Sequence, residues 1–160
     1  MKNDNNDLAA VLLSQKLLSE KQVDLVRLES INKGLGIEDI IRSHNFVSEE
    51  SITKAKAEML GVPYVSLATK GISPDILNYI PEPVARRYMV LPFSFDDKTR
   101  LLAVAMKNPV DISAIEFLES KSGLTIEPFL AMEGEIQQKI EEEYSQSLTS
   151  EVTQALNEST

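Results

Sequence analysis

The apolar residues at the start of the chain recur with the spacing of an amphipathic helix. Leu8, Val11 and Leu12 stand at i, i+3 and i+4, so they share one face of a helix. The same pattern of apolar and polar positions returns later, because Ser19 and Ser48 are 29 positions apart and their surroundings match at that offset. A period of this length is typical of a repeated supersecondary unit.

Each copy of the repeat predicts a helix, a short turn and a second helix. Ser19 and Ser48 precede the second helices, where a serine hydroxyl accepts from free amides, and Gln22 offers a capping box in the first copy. The segment NKGLG, Asn32 to Gly36, separates the copies with residues that end helices. Neither hairpin can bury its apolar stripe alone, so we expect one four-helix unit over residues 6–60. The matched apolar pairs are Leu8 and Ile37, Val11 and Ile40, Leu12 and Ile41, Leu17 and Phe46, Leu18 and Val47, Val23 and Ile52, and Val26 and Ala55.

The second half of the chain alternates strand-like and helix-like segments. GVPYVSLATKG, from Gly61 to Gly71, predicts a short edge strand interrupted by proline. SPDILNYI, with a serine cap, and PEPVARRY each predict a short helix. MVLPFSF and RLLAVAM predict a hairpin around the polar turn Asp96 to Thr99. Asp111 can cap the helix ISAIEFLESKSG, after which LTIEPFLA predicts a strand and MEGEIQQKIEEEYS a last helix.

These elements predict an α+β protein. The four-helix unit of two tandem helical hairpins precedes a small mixed α/β domain over residues 61–145, with a three- to four-stranded sheet. Residues 146–160 are polar and weakly patterned, so we expect a linker or a frayed tail there.

The charge of the chain limits the classes of molecule that it is expected to bind. Sixteen basic residues face 25 acidic ones, a net charge of −9, which disfavours nucleic acid and anionic membrane surfaces. There is no cysteine, the apolar runs are short, and MKNDNNDLAA lacks the order of a signal peptide. We therefore expect a cytoplasmic protein without direct membrane insertion.

Candidate catalytic residues are few, and each has a simpler structural interpretation. His44 is the single histidine and stands near a predicted helix end, so with no cysteine a zinc site is not expected. Gly34-Leu35-Gly36 resembles the start of a dinucleotide loop, but Asp39 occupies the third glycine position and no strand precedes it. Asp96-Asp97 could pair as acid and base, yet such residues are common in hairpin turns. We predict no catalytic, cofactor-binding or metal-binding residues.

Two charged runs are candidates for binding instead. Arg86-Arg87 could bind an anion or form salt bridges. Glu141-Glu142-Glu143 could dock a partner or form a solvated helix face. The sequence leaves both choices open.

The order of these segments resembles a known family. IPEPVARRYMVLPF and LLAVAMKNPVDISAIEFL, together with the two hairpins and GVPYVSL, are similar to the N-terminal domain of type II secretion and type IV pilus assembly ATPases. The resemblance implies a non-catalytic docking and regulatory module without the motor motifs, peripheral to the inner membrane through its partners. Those partners would be the cytoplasmic domain of an inner-membrane platform protein and, if the chain is a fragment, the motor ATPase domain in cis.

A branch of this family binds cyclic di-GMP through the two hairpins, each reading RLGxxLxxxG and ending in glutamine. The first copy here departs from that motif at Asp7, Ala9, Lys16 and Ser30, and the second departs at Gly36, Glu38, Asn45 and Met59. Asp7 and Glu38 are acidic, so they would repel a diphosphate ligand. The resemblance therefore favours docking, with a cyclic di-GMP sensor as the alternative and an enzyme with an unrecognised site as a third interpretation.

Overall fold

The computed structural model describes residues 7–158 of the chain and the side chains of residues 7–146. The chain divides into two compact units, Met1–Pro63 and Tyr64–Thr160, called here the helical unit and the sheet unit. Within the described residues, no helix combines the length and the apolarity needed to cross a bilayer.

The helical unit contains the two predicted helical hairpins. The first is α1 (Leu8–Ser14) and α2 (Glu20–Lys33), and the second is α3 (Ile37–His44) and α4 (Glu49–Leu60). Helix α1 contacts α4 and α2 contacts α3, so the hairpins pack on each other. Leu12 and Ile41, one of the matched pairs, are both fully buried in the shared core.

The predicted serine caps are present in both copies. Ser19 Oγ accepts from the amide of Gln22 at 3.2 Å, and the Gln22 side chain accepts from the amide of Ser19 at 2.9 Å, which completes a capping box. Ser48 Oγ accepts from the amide of Ser51 at 3.1 Å, without a reciprocal bond to its own amide. Each cap fixes the residue at which the second helix of its hairpin begins.

The sheet unit is built on a mixed three-stranded sheet, as the α+β prediction requires. The strands β1 (Val90–Asp96) and β2 (Leu101–Met106) pair antiparallel, and β2 pairs parallel with β3 (Thr125–Leu130), in the order β1-β2-β3. The parallel pair is connected by α7 (Ile112–Ser122), which Asp111 caps by accepting from the amide of Ala114. The remaining helices are α5 (Pro74–Leu77), α6 (Glu82–Tyr88) and α8 (Glu133–Glu158).

The burial of the strands explains where proline is tolerated. All residues from Leu102 to Met106 are buried, and since successive side chains point to opposite faces, β2 is covered on both faces. Pro92 and Pro128 lie in the two edge strands, where a missing amide need not break a ladder, and the β1 register shifts between Pro92 and Ser94.

Three sequence-based expectations differ from the structure. The edge strand expected at Gly61–Gly71 is a single bridge between Tyr64 and Leu130, because Pro63 has no amide to extend the ladder. Ser73 precedes α5 but makes no capping bond through its side chain. The polar segment expected to be a linker or a frayed tail is helical as far as Glu158, where α8 ends, and it contains neither glycine nor proline.

The capping box makes Ser19 the stronger of the two repeat caps. We expect Ser19→Ala to lower the free energy of unfolding of the helical unit by about 1 kcal/mol, because no side-chain oxygen then accepts from the amide of Gln22. Urea unfolding followed by circular dichroism measures the change. Ser73→Ala is the matched control and should leave stability unchanged, because that serine caps no amide with its side chain. Equal effects of the two substitutions would contradict the role of the box.

Candidate functional site

The corner between the two helices of each hairpin turns on a residue in the left-handed conformation. Lys16 has φ 62° and Asn45 has φ 54°, and the two positions are equivalent in the repeat. At the first corner the amide of Lys16 donates to Leu13 O at 3.0 Å and that of Leu17 to Leu12 O at 2.9 Å, the pattern of a Schellman motif. Glycine adopts this conformation without steric penalty, whereas lysine does not.

These corners are two of the positions at which the cyclic di-GMP motif has glycine. The backbone conformation that favours glycine is therefore present in both copies, although glycine is absent from both. Both corners therefore form in this chain without glycine.

At the first copy's arginine position, an acidic side chain occupies the end of α1. Asp7 Oδ1 accepts from the amide of Ala10 at 2.8 Å and pairs with Arg27 at 3.2 Å. An amide at a helix N-terminus and a guanidinium are the donors that an anionic ligand would use. In this chain the Asp7 carboxylate already engages both.

The second copy uses its acidic residue in the same way. Glu38 accepts from Arg42 at 2.9 Å and from Lys56 at 3.2 Å, so it links α3 and α4. Partial burial acts to raise the pKa of Glu38, but hydrogen bonds from these two cations hold the pKa below its usual value. Gly36, at the arginine position of this copy, precedes α3 and has no side chain to offer.

The other motif positions are also committed to the fold. Ala9 is fully buried in the core of the helical unit, and Met59 packs against the same core. Ser30 Oγ donates to Leu35 O at 2.6 Å. None of these side chains presents a free polar group to a ligand.

The most exposed apolar surface of the helical unit lies along α2. Leu25, Leu28 and Ile31 recur every three residues and are 41%, 58% and 80% exposed, and Leu35 beyond the helix end is 50% exposed. We call these four residues the α2 ridge. Val23 and Val26, on the other side of α2, are buried, so the helix is apolar on two sides.

Sequence reasoning missed the α2 ridge because it followed only positions shared by both copies. The second-copy equivalents of the three helical ridge residues are Lys54, Ala57 and Leu60, so comparison of the copies hides the ridge. The signal that could have found it is the three-residue spacing within α2 itself.

The candidate catalytic residues take part in structural contacts. The His44 ring stacks on Phe46 with centroids 4.8 Å apart, and its Nε2 bonds Glu29. That hydrogen bond is the main reason why the pKa of Glu29 lies below its usual value, with a second bond from Lys33. Gly34 is the left-handed residue that ends α2, so the glycine pair lies in a helix–helix turn.

Charged candidates in the sheet unit are likewise distributed over turns and helix faces. Asp96 Oδ1 accepts from the amides of Lys98 and Thr99, and the first of these bonds contributes most to lowering the pKa of Asp96. Asp97 lies 3.8 Å from Arg100. These two aspartates therefore shape the hairpin turn.

The two charged runs differ in their partners. Arg86 binds Glu82 at 2.9 Å, whereas the guanidinium of Arg87 lies over the ring of Tyr88. In the acidic run of α8, the second and third glutamates lie 3.8 and 3.6 Å from Lys139, and Glu141 is exposed.

The family model described as the MshEN domain matches residues 60–150, which is more than half of the chain. The chain belongs to the MshEN domain family. The matched range covers nearly all of the described sheet unit and only the end of α4 in the helical unit. Membership therefore rests on the sheet unit.

Named relatives of this MshEN domain are much longer than the chain itself. It is 28% identical over 139 residues to the type IV pilus assembly ATPase PilB of Myxococcus xanthus and 26% identical over 122 residues to that of Thermus thermophilus. These matches cover 87% and 76% of this chain but only 24% and 14% of the relatives. A third match, 26% identical over 81% of this chain and 17% of the relative, is bacteriophage adsorption protein B of Escherichia coli.

Solved structures with this fold include MshE and the N-terminal domain of XpsE. The structure described as MshE with cdg superposes with a TM-score of 0.68 at 25% identity, covering 86% of this chain and 99% of that one. The N-terminal domain of XpsE gives a TM-score of 0.54 at 23% identity, covering 88% and 96%, and shows a shared fold. The predicted resemblance to the N-terminal domain of secretion and pilus ATPases is confirmed.

The left-handed corner predicts that Lys16→Gly stabilises the helical unit. We expect a gain of about 1 kcal/mol in the free energy of unfolding, because glycine removes the steric penalty that lysine bears at this φ. Urea unfolding followed by circular dichroism measures it.

Asn45→Gly is the matched control at the equivalent corner. It should give a smaller gain, because asparagine tolerates the left-handed conformation better than lysine does. A loss of stability in Lys16→Gly would contradict the described corner.

Proposed function

We propose that this MshEN domain is a non-catalytic docking and regulatory module of a type II secretion or type IV pilus assembly ATPase. It links the motor to the cytoplasmic domain of an inner-membrane platform protein, which places it at the cytoplasmic side of that membrane through its partner. The observation that carries the proposal is the α2 ridge. The relatives named as pilus assembly ATPases supply the motor context.

The α2 ridge has the properties of a protein contact. Its exposed leucine and isoleucine side chains each gain about 1–2 kcal/mol when their exposed parts are buried. Contiguous exposed apolar surface of this kind is characteristic of interaction sites on soluble proteins. Lys21, Asp24 and Asn32 lie between the ridge residues on the same side of α2 and supply a mixed polar rim.

A different protein is a better partner for the α2 ridge than a second copy of this chain. Four side chains on one helix fall short of the roughly 800 Å² that each side of a stable interface buries. The partner must therefore add contacts around the ridge, as an apolar groove that receives α2 would do. We assign that groove to the platform protein.

Lysine substitutions on the ridge test the docking surface. We expect the double variant Leu28→Lys, Ile31→Lys to weaken binding of the platform protein's cytoplasmic domain at least tenfold, because two charges would enter an apolar contact. Fluorescence anisotropy with the labelled cytoplasmic domain encoded in the same operon measures the affinity.

The matched control changes two exposed apolar residues of the sheet unit. Val110→Lys, Ile112→Lys adds the same charge at residues 48% and 69% exposed, and should bind as the wild type does. Equal weakening in both double variants would refute the assignment of the ridge. Absence of binding by the wild-type chain at micromolar concentrations would count against the docking function itself.

A cyclic di-GMP sensor is the second candidate function. The observation that favours it is the likeness to MshE, whose solved structure is described as containing cdg, an abbreviation for cyclic di-GMP. Against it, Asp7 and Glu38 occupy motif positions and already bind the nearby cations Arg27, Arg42 and Lys56. Binding would require the ligand phosphates to displace these carboxylates.

Calorimetry with cyclic di-GMP separates the two functions. We expect no binding heat at 100-fold excess over a chain concentration of about 20 µM, because the cations near both motifs are neutralised internally. Saturable binding with a defined stoichiometry would overturn the preference for docking. The variant Asp7→Asn tests whether the Asp7 carboxylate prevents binding. Binding heat that appears only in this variant would show that it does.

A further inference from the structure

Arg87 differs from the other arginines of the chain in what it contacts. Arg27, Arg42, Arg86 and Arg100 each reach a carboxylate within 3.8 Å. In the part of the chain that the structure describes, Arg87 has no carboxylate partner, and its guanidinium carbon lies 5.5 Å from the centroid of the Tyr88 ring. In a chain with a net charge of −9, an arginine left without an acid is an exception.

A second cation occupies the other end of the same aromatic group. The Tyr88 and Phe117 rings are 5.3 Å apart between centroids, and Lys121 Nζ lies 6.0 Å from the Phe117 centroid. Lys121 also has no carboxylate partner among the described residues. We call Arg87, Tyr88, Phe117 and Lys121 the aromatic–basic row.

The fold fixes this row from two directions. Tyr88 is the last residue of α6, and Met89 ends the helix in the left-handed conformation with φ 52° before β1 begins. Phe117 and Lys121 are one helical turn apart on α7, so their side chains share a face. Tyr88 packs against the core of the sheet unit, which holds the central ring in place.

The two adjacent arginines separate because neighbouring helical residues point about 100° apart. Arg86 therefore turns back to Glu82, one helical turn earlier, while Arg87 reaches the ring. The sequence alone presents the two as one basic pair.

The row presents donors for negatively charged groups. A guanidinium stacked on a ring keeps the N–H groups of its edge available, and a lysine ammonium has three N–H donors. The Tyr88 hydroxyl has no hydrogen-bond partner within residues 7–146 and can donate to the same ligand. The rings between the cations offer apolar surface to the aliphatic part of a bound side chain.

We propose that the aromatic–basic row binds an acidic segment of a protein partner, with carboxylates at both ends of the row. Two rings separate the cations, so an extended chain with acidic side chains several residues apart matches them better than one compact anion does. This surface belongs to the sheet unit and does not depend on the docking assigned to the α2 ridge.

An octaglutamate peptide is the probe for this surface. We expect nuclear magnetic resonance titration of the ¹⁵N-labelled chain in 20 mM salt to shift the amide signals of Arg87, Tyr88, Phe117 and Lys121. The dissociation constant should rise several-fold in 150 mM salt, because exposed charges are screened. The double variant Arg87→Gln, Lys121→Gln should weaken the peptide at least tenfold.

Arg86→Gln and Arg87→Gln form a matched pair. Both remove one positive charge at neighbouring positions, but only the second removes a cation of the row, so we expect weakening by Arg87→Gln and a change below twofold in Arg86→Gln. If both substitutions weaken peptide binding equally, the effect comes from net charge alone and the proposal is overturned. Absence of binding to the wild type would also overturn it, as would tighter binding of pyrophosphate than of octaglutamate at equal ionic strength, which would indicate a small-anion site.

Discussion

The helical unit depends on the burial of one hairpin's apolar stripe against the other. Helices of seven and eight residues, as α1 and α3 are, do not hold their structure in water without tertiary contacts. Leu12 and Ile41, at equivalent places in the two copies, meet in a single core, so each copy supplies the surface that the other requires. This mutual requirement explains why the repeat keeps its apolar positions while its polar positions diverge.

Much of the fold could be predicted because its signals are local. Three features act over only three or four residues and can be recognised in the sequence. They are the capping box at Ser19, the left-handed glycine at the end of α2, and the polar turn between β1 and β2. The extent of α8 was missed because high polarity does not imply low helix propensity, and a polar segment without glycine or proline can remain helical. The single bridge at Tyr64 was overestimated as a strand because one proline limits the ladder more than the β-forming residues around it extend it.

The binding surfaces could be predicted only in part, because they depend on what each side chain meets in space. The sequence identifies Arg86-Arg87 as a candidate, but the division between an ion pair with Glu82 and a contact with Tyr88 arises from the geometry of α6. The α2 ridge was not predicted because a comparison of the repeats finds only what the copies share. A surface that binds a partner can occur in one copy alone. The sequence identifies Asp7 and Glu38 as departures from the motif, but only the structure shows their bonds to internal cations.

The left-handed corners at Lys16 and Asn45 bear on how glycine is interpreted across such repeats. A glycine at this place satisfies the turn of the backbone whether or not a ligand is present, so two separate selective pressures favour the same residue. The glycine is consequently a weak marker of nucleotide recognition. The side chain nine residues earlier, Asp7 in the first copy and Gly36 in the second, is more informative, because its charge acts directly on a bound anion.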